Sequence, residues 1–502
     1  MVLIPAAKAK KLLSAVLALC LIALLAASCT TTKLDTELPT ESTAEGTTET
    51  ALDGGTPEAP TESDTSAEEE PVYDMVVAKQ GDRRSDFRLV YDQNVDAPLT
   101  AEVDMFTAML LNYTGADIRP YDSARTGDLE IVLASRTRPE TAEMLEGLED
   151  GEFAIRTRGD GETGQILLAG TTYRSFYTCV EYLFDNYYTD EKGLCVPTNV
   201  DVKGHEKEYA MITTGIEKLR DPCILLEDGV YYAYGTGWTC YKNTGGKLDG
   251  PWIKVGKVAS VADEARDGGS HWAPEVHKYN GAYYMFTTYL NQITNHRGCT
   301  IMKSDSPEGP FVEITDGHIT PASWDCIDGT LYVDPDGQPW MVFVHEWTCM
   351  PNGVGSFAAA KLSEDFTHFI SEPIELFLAN EPAWATAGVT DGCWMYTTED
   401  GQLLMVWSNF DAHGYVVAVA RSSNGRLDGE WIHDEKLLYS KYMTGVYDGG
   451  HGMIFTDTDG QMYLSFHSPN TAADDRKERP TFLAIREENG TLVWDEPKPS
   501  EE

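Results

Sequence analysis

The feature that most constrains the fold is a hairpin pattern that occurs five times in the second half of the chain. Its first copy is residues 219–236, LRDPCILLEDGVYYAYGT, where an Asp-Gly turn separates an apolar run from an aromatic-rich one. Two-residue turns of this kind are strong hairpin signals because both residues must tolerate positive φ. The five equivalent turn glycines are Gly229, Gly281, Gly337, Gly401 and Gly460. Such self-similarity, with several strands per repeat, is typical of β-propellers, so we predict a mainly β fold with a five-bladed β-propeller over about residues 209–497.

The repeat also aligns chemically active residues. The first hairpin strand of each copy opens at Asp221, at the 272–274 step Trp-Ala-Pro, at Asp328, at Asp391 and at His451. If these are the innermost strands of the blades, their openings face the mouth of one central channel. We therefore expect three carboxylates and an imidazole, far apart in sequence, to converge around one axis.

The chain is strongly acidic, with 38 Lys and Arg against 81 Asp and Glu and a formal net charge of −43 over 502 residues. This charge argues against a nucleic-acid partner, whose phosphates require a basic surface.

Residues 1–29 have the pattern of an export signal. Lys8, Lys10 and Lys11 precede an apolar run that ends in small residues before Cys29. The ending Leu-Ala-Ala-Ser-Cys resembles a bacterial lipobox, which predicts lipidation of Cys29. An ordinary signal peptide or an uncleaved anchor is the alternative.

Residues 30–72 are rich in Thr, Glu, Ser, Pro and Gly and contain no aromatic residue. Such a segment cannot bury enough apolar surface to fold, so we expect an extended, disordered tether. Together the two segments predict an exported protein that contacts the membrane only through a lipid anchor, on the outer face of a bacterial cell membrane.

The cysteines beyond Cys29 predict buried free thiols. They occur mostly within apolar strand patterns and without the spacing of a zinc site. They are Cys179, Cys195, Cys223, Cys240, Cys299, Cys326, Cys349 and Cys393.

Residues 73–206 alternate between strand and helix patterns. A helix is expected from Thr100 to a stop at Gly115, and an amphipathic, aromatic-rich helix over 171–188, with strands between them. The order is similar to the small accessory α/β domain of hexosaminidases and α-glucuronidases. A carbohydrate-associated accessory domain and a spacer that packs on the propeller are both compatible with it.

The motifs of the repeats resemble those of glycoside hydrolase family 43. They are RDP at 220–222, WAPEV at 272–276, IDGTLYVDPDG at 327–337, TDG at 390–392 and GGHGM at 449–453. The resemblance extends over all five repeats and implies a five-bladed propeller that cleaves furanosides and xylosides with inversion.

Inverting hydrolysis uses one carboxylate to activate water and a second, protonated carboxyl group to protonate the leaving oxygen. The resemblance implies that Asp221 is the general base. It further implies that Asp328 is the carboxylate that orients the acid and raises its pKa, as a nearby like charge does.

Asp391 is expected to be the general acid, but it stands where the family normally has a glutamate. The side chain is one methylene shorter, so three alternatives remain. Asp391 is the acid, another carboxylate such as Glu346 replaces it, or the site only binds sugar.

His451 occupies the channel position of the fifth repeat. In related arabinan-cleaving enzymes a histidine there borders a central calcium or water site, so His451 is a candidate for such a site. Calcium prefers oxygen ligands, and an imidazole bonded to water is the alternative. No cofactor is required by the expected chemistry.

Sugar binding needs apolar faces for stacking and polar groups that orient hydroxyls. Residues near strand ends or in matching motifs are the candidates: Trp238, His271, Trp272, Trp324, Glu346, Trp347 and Arg479.

The sequence therefore predicts a glycosidase of the α-L-arabinofuranosidase or β-xylosidase type acting on plant polysaccharide or oligosaccharides. A non-catalytic surface glycan-binding protein is the main alternative, and a propeller used for protein interaction fits least well. The sequence leaves open whether cleavage is exo or endo.

Overall fold

The computed structural model describes residues 72–92, 98–122, 126–133, 138–160, 162–411, 414–443, 447–473 and 476–495. The predicted signal segment with Cys29, and the predicted tether up to residue 71, lie outside these ranges. Within them, no helix combines the length and the apolar character needed to cross a membrane.

The first half of the described chain is an α/β structure. Its strands are β1 (Asp74–Ala78), β2 (Arg84–Tyr91), β3 (Asp117–Asp122), β4 (Leu129–Leu133), β5 (Glu152–Gly159), β6 (Gly164–Gly170), β7 (Tyr188–Thr189), β8 (Gly193–Pro197) and β9 (Asp201–His205). Its helices are α1 (Pro98–Thr114), α2 (Pro139–Glu146) and α3 (Tyr173–Tyr187). A six-stranded sheet has the order β3-β2-β4-β6-β5-β9, and β1, β8 and β7 form a smaller one.

Local sequence explains the two long helices. Helix α1 ends before Gly115, whose φ of +77° continues the chain in the left-handed region. Helix α3 begins after Thr172, whose hydroxyl accepts a hydrogen bond from the backbone N–H of Ser175 at 3.0 Å, and the Ser175 hydroxyl accepts in return from the Thr172 N–H. Both predicted helices are confirmed, while α2 was not predicted.

The second half is a ring of five sheets, antiparallel apart from one short parallel pair in blade 2, which confirms the predicted mainly β, five-bladed fold. Blade 1 contains β11 (Cys223–Glu227), β12 (Val230–Gly235), β13 (Thr239–Asn243) and β14 (Ile253–Lys257). Blade 2 contains β15 (Ala259–Ser260), β16 (Trp272–Tyr279), β17 (Ala282–Asn291), β18 (His296–Ser304) and β19 (Phe311–Glu313). Blade 3 contains β20 (Cys326–Val333), β21 (Pro339–His345), β22 (Ser356–Lys361) and β23 (Ile374–Leu378).

Blade 4 contains β24 (Asp391–Thr397), β25 (Leu403–Asp411), β26 (Gly414–Ser422) and β27 (Trp431–His433). Blade 5 contains β28 (Gly450–Thr456), β29 (Met462–Ser468), β30 (Arg479–Glu488), β31 (Thr491–Trp494) and the early strand β10 (Met211–Thr213). Strand β10 pairs antiparallel with β30, with Met211 opposite Leu483. The last blade is therefore completed by a strand that precedes the first, which closes the ring.

Near the start of the inner strand of every blade, one residue lies in the left-handed region of φ. These residues are Asp221 (+55°), Ala273 (+42°), Asp328 (+55°), Gly392 (+45°) and His451 (+58°). In blades 2 to 5 the pairing with the second strand is interrupted by a bulge at this point. The alignment predicted from the sequence needs one correction here. Asp391 lies one residue before the repeated position, which in blade 4 belongs to Gly392.

The α/β part packs directly on the propeller. One continuous hydrophobic cluster includes Phe106 and Phe184 from the helices and Leu438 and Phe466 from blades 4 and 5. The eight cysteines of the described residues are all free, and six of them are buried, as predicted.

A buried carboxylate fixes this contact electrostatically. The side chain of Glu181 on α3 is 1% exposed, and its Oε1 lies 3.1 Å from Nζ of Lys436, which belongs to the loop after β27. Lys207 Nζ lies 3.7 Å from the other oxygen. A charge that is buried at this depth depends on its partners, because it has lost its water.

We expect Glu181→Gln to lower the free energy of unfolding by about 1–3 kcal/mol, because it breaks a buried ion pair while keeping the shape of the side chain. Urea denaturation monitored by circular dichroism measures the change. Asp201→Asn is the matched control, since Asp201 pairs with Arg156 at 3.1 Å with both side chains largely exposed, and it should cost no more than about 0.5 kcal/mol. Equal effects of the two substitutions would contradict the assignment.

Candidate active site

The openings of the inner strands bring a group of carboxylates and imidazoles together at one end of the ring. Oδ1 of Asp221 lies 3.5 Å from Nδ1 of His451 and 3.4 Å from Nδ1 of His467. Nδ1 of His451 lies 3.8 Å from Oδ2 of Asp328. Carboxyl oxygens of Asp328 and Asp391 lie within 4.8 Å of each other. Blades 1, 3, 4 and 5 thus each contribute to one cluster, as the repeat predicted.

A belt of side-chain acceptors holds the strand openings. The backbone N–H of each left-handed residue is bonded by a side chain of the preceding blade. Thr236 accepts from Ala273 at 3.1 Å, Thr288 from Asp328 at 3.0 Å, Ser408 from His451 at 2.8 Å and His467 from Asp221 at 3.3 Å. The acceptors occupy equivalent places on the second strands, so the bonds run from blade to blade around the ring.

In blade 3 the acceptor lies at a different place, and this difference positions a catalytic candidate. The equivalent place on β21 is Val344, opposite Ile327, and its side chain accepts no hydrogen bond. The N–H of Gly392 is instead bonded by Oδ2 of Asp328 at 2.9 Å. Asp328 is therefore fixed by the backbone residue that follows Asp391, which explains why the two carboxyl groups meet.

Asp221 is held as a carboxylate. Burial alone would raise its pKa, but the neighbouring imidazoles of His451 and His467, the charge of Arg220 and the hydrogen bond from the Thr236 hydroxyl outweigh burial and lower the pKa below its usual value. The same threonine hydroxyl also receives the N–H of Ala273. The general-base candidate thus has a low pKa and a fixed direction.

Asp328 has the opposite environment. Burial, the neighbouring charge of Asp391, the hydrogen bond that it shares with Asp391 and the charge of Asp221 raise its pKa well above the usual value, although the Gly392 N–H opposes this. Two carboxyl groups in contact cannot both be ionised at little cost, so the pair retains a proton that Asp221 does not. The cluster therefore contains both a proton acceptor and a proton donor.

Asp391 is the least buried of the three aspartates and has a further partner. The hydroxyl of Tyr415 on β26 donates to its Oδ2 at 2.6 Å. The pKa of this tyrosine is raised well above the usual value by burial first, and then by the charge of Asp391 and the hydrogen bond to it. Tyr415 therefore remains a phenol that can donate.

The two buried histidines, His451 and His467, differ in their hydrogen bonds. Nδ1 of His467 accepts from the N–H of Asp221, so its proton lies on Nε2, which is 3.2 Å from Oδ1 of Asn470. Asn470 in turn accepts two hydrogen bonds from Arg220, at 2.7 and 3.0 Å. The general-base candidate is thus held in place by a connected set of hydrogen bonds through His467, Asn470 and Arg220.

His451 was a candidate for a calcium or water site. Its Nε2 is buried and has no hydrogen-bond partner among the described residues, which suits a water molecule. Ligand atoms of Asp328, Asp391 and His451 lie within 4.8 Å of one another. Calcium takes six to eight oxygens, and this set supplies two carboxylates whose oxygens already bond Gly392 and Tyr415. The three residues alone do not fit calcium.

Trp272 is the exposed aromatic residue nearest to the cluster along the chain. It directly precedes Ala273, whose N–H bonds the threonine that holds Asp221. Its side chain is 36% exposed, and the guanidinium of Arg297 lies 5.5 Å from its ring centroid. Arg297 is itself fixed by Glu346, with two contacts of 2.7 Å. Trp272 can therefore offer a supported ring face to a sugar.

The same contacts show what Glu346 does. Both of its oxygens are engaged by Arg297 in a buried bidentate pair. No contact joins it to the three aspartates among the described residues. Glu346 therefore supports the Trp272 platform, and the structure gives no basis for a role as replacement acid.

The prediction that Trp238 binds substrate needs correction. Its side chain is fully buried, its Nε1 donates to Thr287 at 2.8 Å, and the ring of His271 stacks on it at 3.8 Å. Trp238 has no open face for a sugar. His271 is held by this stacking and by a contact of 2.7 Å with Asp267, and its side chain remains partly exposed.

The remaining substrate-binding candidates lie outside the cluster. Trp324 stacks on His345 at 3.8 Å with nearly parallel rings and is partly exposed. Trp347 packs against the core between blades 3 and 4. Arg479 opens β30 opposite Ser468, and its Nε is buried without a hydrogen-bond partner among the described residues. No contact joins these three side chains to the aspartates within the described residues.

Four residues of the cluster were missing from the predicted site. Arg220 lies in the RDP motif at 220–222 that the sequence analysis names, whereas His467 lies in the segment FHSPN at 466–470. Thr236 ends the first repeat, so equivalent positions of the repeats could have identified it. Tyr415 has no signal in the sequence.

A large cavity lies away from this cluster. A space of about 780 Å³ at the junction of the α/β part and the propeller is lined by residues that include Tyr209, Lys436 and Trp494. Its cationic side chains are paired with carboxylates, for example Arg421 with Asp434 at 2.7 Å. Lys436 and Tyr209 cover Trp494. This cavity has the features of a packed interface.

Comparison with known proteins gives one family. Residues 214–487 match the family model described as glycosyl hydrolases family 43. A probable arabinan endo-1,5-alpha-L-arabinosidase B of Aspergillus fumigatus is 30% identical over 146 residues, which cover 26% of this chain and 39% of that protein. The alignment thus spans about two fifths of the length of this curated relative.

Two solved structures are similar over the propeller. An endo-arabinase from Bacteroides thetaiotaomicron is 32% identical and matches 57% of this chain and 99% of its own, with a TM-score of 0.49. A thermostable family-43 glycoside hydrolase is 21% identical and matches 58% of this chain and 96% of its own, with a TM-score of 0.50. The second likeness concerns the fold alone.

His467 should make the folded state sensitive to acid. Burial lowers the pKa of its imidazole to about 4, whereas a free histidine has a pKa of about 6.5. As the pH falls from 6.5 to 4, the unfolded chain binds a proton that the folded chain does not, so the folded state loses up to about 3 kcal/mol. We expect His467→Gln to flatten the pH dependence of the unfolding free energy in this window, measured by urea denaturation.

His368→Gln is the control, because His368 is exposed. Its unfolding free energy should follow the pH as that of the unmodified protein does. A slope in His467→Gln that equals the slope of the control would contradict the assignment.

Proposed function

The chain belongs to glycosyl hydrolase family 43, and from that premise we propose that it hydrolyses arabinofuranosyl or xylosyl linkages of plant polysaccharide or oligosaccharides by single-displacement inversion. One observation carries the proposal. Within one cluster, Asp221 has a lowered pKa and Asp328, in contact with Asp391, has a raised one. Carboxyl groups whose pKa values are driven apart are the arrangement that acid–base hydrolysis needs.

The proposed reaction has one chemical step. Asp221, as general base, removes a proton from a water molecule while the water oxygen attacks the anomeric carbon. The bond from that carbon to the leaving oxygen breaks on the opposite face of the sugar, and Asp391, as general acid, gives its proton to the leaving oxygen. The products are an inverted sugar and an alcohol, and the only other reactant is water.

Asp328 acts on the acid. Its contact with Asp391 keeps a proton on the pair at a pH at which Asp221 is ionised, because adjacent carboxylates repel each other. Its own position is fixed by the N–H of Gly392 at 2.9 Å, so the orientation of Asp391 follows from the backbone. His467, Thr236 and Arg220 orient the base in the same way from the other side.

An arabinofuranosyl substrate is favoured by the curated relative, which is named an arabinan endo-1,5-alpha-L-arabinosidase. The exposed ring of Trp272 gives a stacking face, and Trp272 precedes Ala273, whose N–H bonds the threonine that holds Asp221. The net charge of −43 favours a neutral glycan over a polyuronate. We assign Trp272 to sugar stacking, with Arg297 and Glu346 as its support.

We also propose that the protein is exported and anchored by a lipid on Cys29. Support comes from the basic and apolar pattern of residues 1–29 and from the acidic, Pro- and Thr-rich composition of residues 30–72. A catalytic body on such a tether would reach polysaccharide outside the cell. We expect metabolic labelling with a fatty acid in a bacterial host to mark the full chain, and Cys29→Ala to lose the label. Cys20→Ala is the control, and equal labelling of both variants would contradict the anchor.

Aryl glycosides test the proposed reaction. For residues 73–502 we expect turnover of α-L-arabinofuranoside or β-D-xyloside, with kcat/KM about 10³-fold or more lower in Asp221→Ala, because general-base catalysis contributes roughly 10²–10⁴-fold. Asp391→Asn should be impaired most on substrates with poor leaving groups. Product anomers followed by NMR should show inversion.

Two outcomes would count against this function. Retained activity in Asp221→Ala would remove the assigned base. Binding of arabino-oligosaccharide or xylo-oligosaccharide without turnover of any glycoside would favour a glycan-binding protein. Asp365→Asn is a control for the loss of a propeller carboxylate, because Asp365 bonds Ser363 and Thr367 and does not contact the three aspartates.

A further inference from the structure

The acid candidate of this cluster has a short side chain and an unusually well-held partner. Asp391 opens β24, and Tyr415 lies on β26, two strands away in the same blade. Oδ2 of Asp391 receives the Tyr415 hydroxyl at 2.6 Å. One of its carboxyl oxygens also lies within 4.8 Å of a carboxyl oxygen of Asp328. The carboxyl group of Asp391 is thus held from two directions.

Tyr415 cannot easily move away from this contact. The residue is 1% exposed, and its backbone N–H donates to Oδ2 of Asp448 at 3.1 Å. Its ring packs on Phe410 at 5.0 Å and on His467 at 5.8 Å between centroids. A Cβ on Gly450 would come within 2.3 Å of a ring carbon, so the glycine is needed to seat the ring. The position of the Tyr415 hydroxyl is therefore fixed by its surroundings.

We propose that Tyr415 is a positioning residue for Asp391, and that the tyrosine hydroxyl and the short aspartate side chain form a matched pair. The hydroxyl fixes the direction of the carboxyl group and stabilises the carboxylate that remains after the proton has moved to the leaving oxygen. This inference rests on the proposed function of the site.

The distances give the reason for the match. A glutamate at this position would extend the side chain by one C–C bond, about 1.5 Å. A hydroxyl that already lies 2.6 Å from Oδ2 leaves no space for that extension in the same direction. A longer acid would have to displace the tyrosine or adopt another rotamer, so the tyrosine makes the aspartate the fitting acid.

The first test is Tyr415→Phe with a series of aryl glycosides that differ in leaving-group pKa. Loss of a hydrogen bond to a charged group should lower kcat/KM about 10- to 100-fold for poor leaving groups, because these need the acid. A dinitrophenyl glycoside leaves without protonation and should change less than about threefold. Tyr234→Phe is the control, because this buried hydroxyl donates to the carbonyl of Pro307 and should leave every substrate unaffected.

The second test is a double-mutant cycle. Asp391→Glu should lower kcat/KM in the presence of Tyr415 and be better tolerated in Tyr415→Phe, where space has been released. The double variant should thus be at least threefold more active than the product of the two single effects allows. Additive effects would overturn the matched pair, and an equal loss on all leaving groups in Tyr415→Phe would overturn the positioning role.

A crystal structure of Tyr415→Phe separates this inference from the proposed function. The carboxyl group of Asp391 should rotate away from its place beside residue 415 even if no glycoside is cleaved by any form of the protein. An unmoved Asp391 would overturn the inference while leaving a measured glycosidase activity intact. Absence of all glycosidase activity together with a rotated Asp391 would overturn the proposed function and support the positioning role.

Discussion

The site depends on a backbone constraint that is repeated five times. Each inner strand opens with a residue at positive φ, and residues with a side chain take that conformation at a cost that the surroundings must offset. The surroundings here are the neighbouring blade, whose Thr, Ser or His side chain bonds the N–H of the strained residue. The left-handed backbone conformation, together with the hydrogen bonds that stabilise it, turns the side chains at the strand openings toward the axis. The cluster is thus a product of blade packing, and each of its members is oriented by a residue far away in sequence.

The chemistry arises where the belt is interrupted. The side chain of Val344 in blade 3 accepts no hydrogen bond, and the N–H of Gly392 is bonded by the carboxylate of Asp328 instead. That carboxyl group lies within 4.8 Å of Asp391, and burial and the like charge of Asp391 raise its pKa. Asp221, near two imidazoles and the Arg220 guanidinium, has a lowered pKa instead. One substitution in a repeated structural element is therefore enough to divide three aspartates into a donor pair and an acceptor.

The fold could be predicted from the sequence because turn chemistry and strand alternation repeat at every blade. Asp221, Asp328 and His451 could be aligned for the same reason, since they occupy one position of the repeat. Asp391 was misaligned by one residue because its carboxylate was matched to those of Asp221 and Asp328, whereas the left-handed position of blade 4 belongs to Gly392. Tyr415 and Trp238 show what the sequence could not predict, namely the side-chain contacts between strands. A sequence gives the order of residues along a strand but not the neighbours of each side chain across strands. That His271 covers the ring of Trp238, and that the hydroxyl of Tyr415 reaches Asp391, follows only from packing.

The closure of the ring has a consequence for when the site comes into being during synthesis. Asp221 lies in the first blade, but its N–H and carboxylate are held by His467 in the last one, and that blade is completed by pairing β10 with β30. A growing chain therefore carries all of its early carboxylates for most of its translation without the partners that set their protonation. The catalytic centre therefore forms only when the propeller closes. A chain that stalls before its last strands would have a nearly complete propeller with an unassembled site.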